Sequence, residues 1–349
     1  MTTILISLVI AFSASLCAIK AIKPISYKIG LVDVPNHRKK HNGEIPLIGG
    51  IAVFVGVLTA CSILYPHSQV LDLYLISSAL IVFVGALDDY RELAVSVRLC
   101  AQVLISSIMV FGANLHIESF GNILGFGSVE LLWFGYPITV LAVIAAINAF
   151  NMTDGIDGLA GSLSVVSFLS LACLMLLSNA QYSYVPLILA FATIPYLAFN
   201  LGLIGGQAKK IFMGDAGSMF VGLSVVWLLV LGSQGESPAF RPVSALWIIA
   251  IPLWDMCAIT LRRISQGRSP FMPDREHLHH IFLRMGYSSK KSLVLIVCLA
   301  VIFAMVGVLG ELYQIPEIVM FVGFLLLFAG YYFSLKHVWK LTKIAKVVG

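Results

Sequence analysis

Residues 141–177, LAVIAAINAFNMTDGIDGLAGSLSVVSFLSLACLMLL, place a polar and acidic segment between two apolar runs. The apolar run before the acids covers residues 130–149, and the run after them covers 159–177. A helix of about twenty apolar residues is long enough to cross the hydrocarbon core of a bilayer. The stretch therefore predicts two membrane-spanning helices, joined by a short loop that holds Asp154 and Asp157 at one membrane surface.

The rest of the 349-residue chain has the same character. Only 11% of its residues are charged, 59% are hydrophobic, and the mean hydropathy is +0.97, whereas about a quarter of the residues of a soluble domain are charged. The composition predicts an all-α, polytopic integral membrane protein that forms one membrane domain over residues 1–349. We expect eleven spans, or ten if one run is re-entrant, near residues 3–22, 46–65, 71–87, 97–115, 130–149, 159–177, 183–203, 216–233, 243–261, 292–311 and 316–335.

The positions of the basic residues predict the orientation. With the N-terminus on the periplasmic side, 21 of the 22 lysines and arginines fall in cytoplasmic segments, and only Arg241 does not. Loops rich in lysine and arginine stay in the cytoplasm, so the C-terminus is also predicted to be cytoplasmic. The first run has basic residues after it and none before it, which indicates a retained helix and not a cleaved signal. A basic face of this kind suits anionic lipids or nucleotides and does not indicate nucleic acid.

Carboxylates are costly near a membrane and are therefore functional candidates. Five of them end or precede apolar runs on the predicted cytoplasmic edge: Asp88, Asp89, Asp154, Asp157 and Asp215. Asn148, Asn151, Asp154 and Asp157 recur at every third position, and on a helical turn this spacing would bring successive side chains together. We expect them to converge on one ligand, and we expect glycines at 155, 158 and 161 to allow close backbone approach.

Oxygen ligands of this kind suit Mg²⁺, which is usually held by one or two carboxylates and the phosphates of a substrate. Each acid has a simpler alternative: a solvated loop for Asp88 and Asp89, and helix caps for Asp154, Asp157 and Asp215. For Asp255, within the ninth run, the alternative is a contact with a polar neighbour in the bundle or with Arg262. His277, His279 and His280 suggest zinc, but no cysteine pair accompanies them. We favour a role for this histidine loop in gripping a diphosphate, together with neighbouring arginines.

Four ordered motifs, ALDDY (86–90), NAFNMTDGIDGLAG (148–161), FMGDAGS (212–218) and SPFMPDREHLHH (269–280), resemble those of the polyprenyl-phosphate N-acetylhexosamine-1-phosphate transferases, glycosyltransferase family 4. The similarity extends over nearly the whole chain. The muramoyl-pentapeptide branch of this superfamily has three adjacent histidines, whereas this chain has His-Leu-His-His. That difference favours the branch that uses N-acetylglucosamine (GlcNAc).

The resemblance implies an enzyme that transfers GlcNAc-1-phosphate from UDP-GlcNAc to undecaprenyl phosphate and releases UMP, with Mg²⁺ or Mn²⁺ as cofactor. It implies the first lipid-linked step of O-antigen or enterobacterial common antigen synthesis, at the cytoplasmic face of the bacterial inner membrane. The partners would be the two substrates and the bilayer, with no nucleic acid, and a homodimer is an open alternative. The main alternative function is a transporter or flippase, which would place its essential acids deep in the membrane.

The resemblance also assigns roles to residues. Asp215 would hold the metal with help from Asn151, Asp88 would engage or deprotonate the lipid phosphate, and Asp89 would support it. Asp154 and Asp157 would complete the catalytic acids by shaping the nucleotide-sugar pocket. The residues expected to bind substrate are Asn148, Lys39, Arg263, Arg275, His277, His279 and His280.

Overall fold

The computed structural model describes residues 2–35, 43–269 and 276–348. In these ranges the chain folds into thirteen α-helices and one short β-hairpin. The helices are α1 (Thr2–Ile29), α2 (Gly49–Leu64), α3 (Gln69–Arg91), α4 (Val95–Ser107), α5 (Gly135–Thr153), α6 (Leu159–Leu177), α7 (Val185–Asn200), α8 (Gly214–Ser233), α9 (Pro242–Ile248), α10 (Ala250–Ser265), α11 (Leu278–Arg284), α12 (Ser289–Leu312) and α13 (Glu317–Val348). A π-helical turn, Ile108–Gly112, extends α4.

The helices confirm a polytopic membrane protein. In the described ranges, eight helices are long and apolar enough to cross a membrane, or nine if the bent pair α9 and α10 forms one span. α2 and α7 are apolar but have only 16 residues each, about 24 Å at 1.5 Å per residue. A helix lies at each of the eleven predicted positions, while the number of complete crossings and the side on which the termini lie stay predictions.

The predicted span 243–261 is not one straight helix, because α9 and α10 meet at an angle of 81°. The break follows from Pro252, which has no N–H to donate to the carbonyl of Ile248 four residues earlier. The hydroxyl of Ser167 on α6 donates to that carbonyl instead, at 3.3 Å. A neighbouring helix thus stabilises the bend by satisfying the carbonyl that proline leaves without a backbone donor.

The helix α8 occupies the centre of the bundle, with 94% of its apolar window buried. Two glycines allow its first turn to pack closely against neighbouring helices. A Cβ added to Gly50 on α2 would overlap the backbone of Gly217, and one added to Gly85 on α3 would overlap the backbone of Ala216. The start of α8, which carries Asp215, is therefore fixed by backbone-to-backbone contacts.

Gly50→Ala tests this contact. We expect the variant to lose about 1–3 kcal/mol of stability, because the added methyl must push α2 away from α8, and thermal unfolding in detergent would measure the loss. Gly330→Ala in α13 is the matched control, since nothing lies within 4 Å of its added Cβ. Equal melting temperatures for the two variants would contradict the assignment of a tight crossing.

A short hairpin pairs Val32–Asp33 with Ile45–Pro46, a small departure from an all-α fold. The hairpin docks on the segment that leads into α8. Phe212 donates its N–H to the carbonyl of Pro46 at 2.9 Å, and Gly49 donates to the carbonyl of Phe212 at 2.9 Å. The hairpin thus helps to position the FMGDAGS motif.

The connections after α1, α3, α5, α7 and α10 meet at one end of the bundle, where they line a single large cavity. The opposite end is closed by polar contacts between other loops. There Arg241 donates to the carboxylate of Glu311 at 3.1 Å and to the carbonyls of Gly310 and Ile315. Arg241, the one basic residue outside the predicted cytoplasmic segments, therefore has a structural partner.

Candidate active site

The cavity has a volume of about 2120 Å³ and is open to solvent. It brings together most of the predicted site residues that the structure describes. The predicted residues in its lining are Asp88, Asp89, Asn148, Asn151, Asp154, Asp157, Asp215, Arg263, His277 and His280. Lys39 and Arg275 lie outside the described residues.

Asp88 lies at the end of α3 and is only 4% exposed. One carboxylate oxygen accepts the backbone N–H of Leu93 at 2.7 Å, and the other accepts from the guanidinium of Arg98 at 2.8 Å. The chain turns here because Glu92 adopts a left-handed conformation with φ 49°. Asp88 therefore holds Arg98, on the first turn of α4, at the wall of the cavity.

Asp89 caps the N-terminus of α8. Its two carboxylate oxygens accept the backbone N–H groups of Asp215 at 2.8 Å and Ala216 at 3.2 Å. A negative charge is stabilised at this end of a helix. Gly214 makes the approach feasible, because it adopts φ +72° and any Cβ there would overlap the carboxylate of Asp89. Asp89 thus positions the helix that carries Asp215.

Asp215 lies on the first turn of α8 and contacts side chains from α5 and α3. The amide of Asn151 donates to its carboxylate at 2.6 Å and also to the hydroxyl of Ser218 at 2.9 Å. The carboxyl group of Asp88 is its neighbour on the other side. Asn151 therefore orients Asp215, and the carbonyl oxygen of its amide is the atom that could ligate a metal.

Asp154 and Asp157 lie on the loop between α5 and α6. Among the described residues, the Asp154 side chain has no hydrogen-bond partner, and it is exposed to the cavity. Enclosure by the surrounding protein, followed by repulsion from Asp215 and Asp157, raises the pKa of Asp154 to about 7. Asp157 instead pairs with Lys210, whose ammonium lies 2.6 Å from the carboxylate and 5.2 Å from the centre of the Phe212 ring.

The polar residues at every third position do not share one helical face, because α5 ends at Thr153. Asn148 turns away from the others and donates to Gln102 at 3.0 Å. The glycines of this segment allow close packing within the protein and not close approach of a ligand, since Gly155 packs against His279 and Gly158 against Leu201. The convergence of Asn151 with Asp215 comes from the packing of α5 on α8.

The described residues contain no group of three His, Cys, Asp or Glu side chains placed to hold a metal by themselves. A site for Mg²⁺ does not need such a cage, because this ion is usually held by one or two carboxylates, waters and substrate phosphates. The donor set at the cavity consists of oxygen atoms: the carboxylates of Asp154 and Asp215 and the amide carbonyl of Asn151. These residues fit a hard divalent cation that is completed by a phosphorylated substrate.

The histidine loop is held by an acid inside the bundle. Asp255 accepts from His277 Nδ1 at 2.8 Å, and His277 and His280 line the cavity. His279 is only 2% exposed and packs against Gly155 outside the cavity lining. Burial, followed by the neighbouring histidines, lowers the pKa of His279 to about 3, so its ring is neutral. His279 thus packs behind the loop that carries Asp154 and Asp157, and this position does not match the predicted contact with a diphosphate.

Two residues that the sequence did not single out also belong to this site: Arg98 and Lys210. Arg98 and Lys210 supply positive charge at the cavity, and each pairs with a predicted acid. Of the two partners expected for Asp255, a polar neighbour in the bundle or Arg262, the structure shows the first: Asp255 accepts from His277 and Tyr331, whereas Arg262 contacts Glu276 at 2.9 Å. The nearest sequence signal for Arg98 and Lys210 was their location in predicted cytoplasmic segments.

Comparison with known proteins agrees with this geometry. Residues 71–233 match the model of glycosyl transferase family 4. The chain is 44% identical over 340 residues to the undecaprenyl-phosphate alpha-N-acetylglucosaminyl 1-phosphate transferase of Pasteurella multocida, covering 97% of this chain and 95% of that protein. It is 45% identical over 341 residues to the Yersinia pestis protein of the same name, covering 97% and 93%, and 42% identical over 329 residues to that of Escherichia coli K12, covering 93% and 89%.

Proposed function

Because the chain belongs to the family of these transferases, within glycosyl transferase family 4, we propose that it transfers GlcNAc-1-phosphate from UDP-GlcNAc to undecaprenyl phosphate. An oxygen of the lipid phosphate attacks the phosphorus that carries the sugar, and the phosphoanhydride bond to UMP breaks. UMP leaves with the bridging oxygen, and the other product is GlcNAc-diphospho-undecaprenol. The chain is thus a phosphoglycosyl transferase.

One observation carries the proposal: a single cavity at one end of the bundle combines carboxylates with cations. Asp154 and Asp215 face it beside Arg98, Lys210 and Arg263. Acids alone would repel a nucleotide diphosphate, and cations alone would not hold a metal. Phosphoryl transfer needs both, because catalysis rests on positioning the phosphates and neutralising the charge on them. A transporter would instead need essential acids at depth, and the five acids of this group lie at one end.

The acceptor lipid requires an apolar entrance, and the cavity has one. Its lining includes apolar side chains from α4, α5 and α10, of which Leu141 and Ile264 are 63% and 57% exposed on the bundle surface. In a bilayer these positions would face lipid tails. The lipid phosphate can therefore reach the cavity from the side while its chain stays in the membrane, and the nucleotide sugar arrives from the aqueous opening.

Asp88 need not remove a proton from the acceptor. A phosphate monoester has a second pKa near about 6 and is mostly a dianion at neutral pH, so it is already a nucleophile. Both carboxylate oxygens of Asp88 are engaged by Leu93 and Arg98. In this mechanism Asp88 holds Arg98 toward the phosphates, and Asp89 fixes the start of α8.

Asp215 and Asp154 would hold the divalent cation, Mg²⁺ or Mn²⁺, while Asn151 orients Asp215 and offers its amide carbonyl. A cation bound there would neutralise charge on the phosphate oxygens and favour the leaving of UMP. His277, His280 and Arg263 would donate hydrogen bonds to the diphosphate from the opposite wall. Lys39 and Arg275 stay candidates for substrate contact.

We place the protein, as one membrane domain, in the bacterial inner membrane with the cavity toward the cytoplasm, because the positive-inside rule puts the basic loops there. The product would begin O-antigen or enterobacterial common antigen synthesis. The proposal requires two substrates and the bilayer, and no nucleic acid. A homodimer stays a prediction.

The test is release of UMP by the purified protein given UDP-GlcNAc, undecaprenyl phosphate and Mg²⁺. We expect turnover, its loss with a chelator, and its return with Mg²⁺ or Mn²⁺, because the cavity needs a cation between its acids and the phosphates. UDP-glucose is the matched control for sugar choice. A protein that releases no UMP, or releases it equally well in excess chelator, would contradict the proposal.

A further inference from the structure

Asp255 is a buried carboxylic acid inside a membrane helix. It lies on α10 and is 2% exposed. Its carboxylate accepts three hydrogen bonds: from His277 Nδ1 at 2.8 Å, from the backbone N–H of Leu278 at 2.9 Å and from the hydroxyl of Tyr331 at 2.9 Å. The donors lie 22, 23 and 76 residues away in the chain. One acid therefore joins α10, the start of α11 and α13.

The bond to Nδ1 determines how His277 meets the cavity. A histidine whose Nδ1 donates to a carboxylate is fixed in both its tautomer and its ring orientation. Because His277 lines the cavity and Nδ1 is engaged, Nε2 is the ring nitrogen that can meet a phosphate oxygen. The arrangement thus selects which edge of the imidazole faces the substrate.

Asp255 also sets where α11 begins. His277 is the N-cap of this helix, but its side chain makes no capping hydrogen bond. The carboxylate of Asp255 caps the helix instead, because it accepts a hydrogen bond from the N–H of Leu278. A negative charge at a helix N-terminus is favourable. Since α11 carries His279 and His280 as well, Asp255 fixes the whole histidine loop relative to the bundle.

An acid in this place is costly to the fold, because a carboxylate in a membrane span must be desolvated. An apolar side chain at this position would avoid that cost. The three hydrogen bonds offset part of this desolvation cost, and the bond from His277 orients that histidine at the cavity. Stability of α10 therefore gives no reason for the acid, whereas the orientation of His277 does.

We propose that Asp255 is a positioning residue for phosphoryl transfer, acting through His277 and itself held by Tyr331. This inference rests on the proposed function. It assigns a role in the reaction to α13, the helix farthest along the chain, although no residue of α13 lines the cavity among the described residues.

A double-mutant cycle tests the proposal. Asp255→Asn leaves one amide oxygen for three donors, so we expect kcat to fall about 10- to 100-fold with little change in KM for undecaprenyl phosphate. The kcat of His277→Gln should fall by a similar factor. If Asp255 acts through His277, the double variant should be no slower than the slower single variant. Losses that multiply, or full activity in Asp255→Asn, would overturn the proposal.

The control is Glu311→Gln at the opposite end of the bundle. Glu311 is also a largely buried acid with several donors, including Arg241 and Ser244, but it is remote from the cavity. We expect a lower melting temperature and unchanged UMP release. An activity loss in Glu311→Gln as large as that in Asp255→Asn would show a general effect of losing a buried acid and would overturn the proposal.

If Asp255→Asn does not fold, Tyr331→Phe replaces it in the cycle, with an expected loss of about threefold that disappears in the His277→Gln background. Persistence of that loss would contradict the proposal. The wild-type protein separates the two hypotheses. If it releases no UMP, the proposed function fails, and the same four proteins are compared by calorimetric binding of UDP-GlcNAc, where additive losses of affinity would overturn the positioning role by itself.

Discussion

Asp215→Asn is expected to lower the rate of UMP release at least about 100-fold and to raise the concentration of Mg²⁺ needed for half-maximal activity. A metal that neutralises phosphate charge contributes several kcal/mol to the transition state, and each 1.36 kcal/mol is a factor of ten in rate. Asparagine keeps the shape of the side chain and removes its charge. The measurement is a Mg²⁺ titration of UMP release at saturating substrates.

The fold should survive this change, because the contact between Asn151 and residue 215 can persist with an amide in place of the carboxylate. Asp72→Asn is the matched control, since Asp72 lies at the far end of α3 and pairs with the exposed His67. We expect wild-type activity from it. If Asp215→Asn were slow but required no additional Mg²⁺, Asp215 would not be a metal ligand.

Asp88→Asn is expected to lower UMP release by about 100-fold and also to destabilise the protein by about 2 kcal/mol. The stability loss follows because Arg98 would keep its charge at a mostly buried position without its carboxylate partner, and a hydrogen bond to a charged group contributes about 1.5–3 kcal/mol. The activity loss follows because Arg98 would no longer be held toward the phosphates. Thermal unfolding and UMP release, measured on the same preparation, check both.

The double variant Asp88→Asn and Arg98→Gln separates positioning from proton removal. Removing both charges should restore part of the lost melting temperature, because no unpaired charge remains, while activity stays low. If Asp88 were only a general base, Asp88→Asn would melt like the wild type and Arg98→Gln would keep most of its activity. That pair of results would contradict the role assigned here.

The apolar runs predicted the helix positions well, because crossing a bilayer demands a length and composition that can be read locally. The bend between α9 and α10 was missed although its cause, Pro252, is visible in the sequence. A count of apolar residues includes Pro252 as an apolar residue and takes no account of the N–H that proline lacks. Whether the carbonyl of Ile248 is satisfied depends on Ser167, which lies on another helix, so the angle could not be predicted from the run alone.

The site was predicted in outline and not in detail for a related reason. The membrane orientation predicted from the basic loops is enough to place Asp88, Asp154 and Asp215 at one end of the bundle. Partners are chosen by packing. Lys210 meets Asp157 across 53 residues, and no sequence spacing encodes such a pair. His279 resembled its two neighbours in sequence, but helix α11 turns its ring toward Gly155 and away from the cavity.

The central place of α8 has a consequence for how the protein is made. Its principal neighbours, α2, α3, α5 and α6, all precede it in the chain. When α8 leaves the ribosome, these four helices have already been synthesised, so Asp215 can meet Asn151 on α5 and Asp89 on α3 without waiting for later segments. The helices α9 to α13 arrive afterwards, and α10 and α11 then add residues to the cavity lining. We therefore expect chains that stop after Ser233 to hold a native-like core while lacking the histidine loop that lines the cavity.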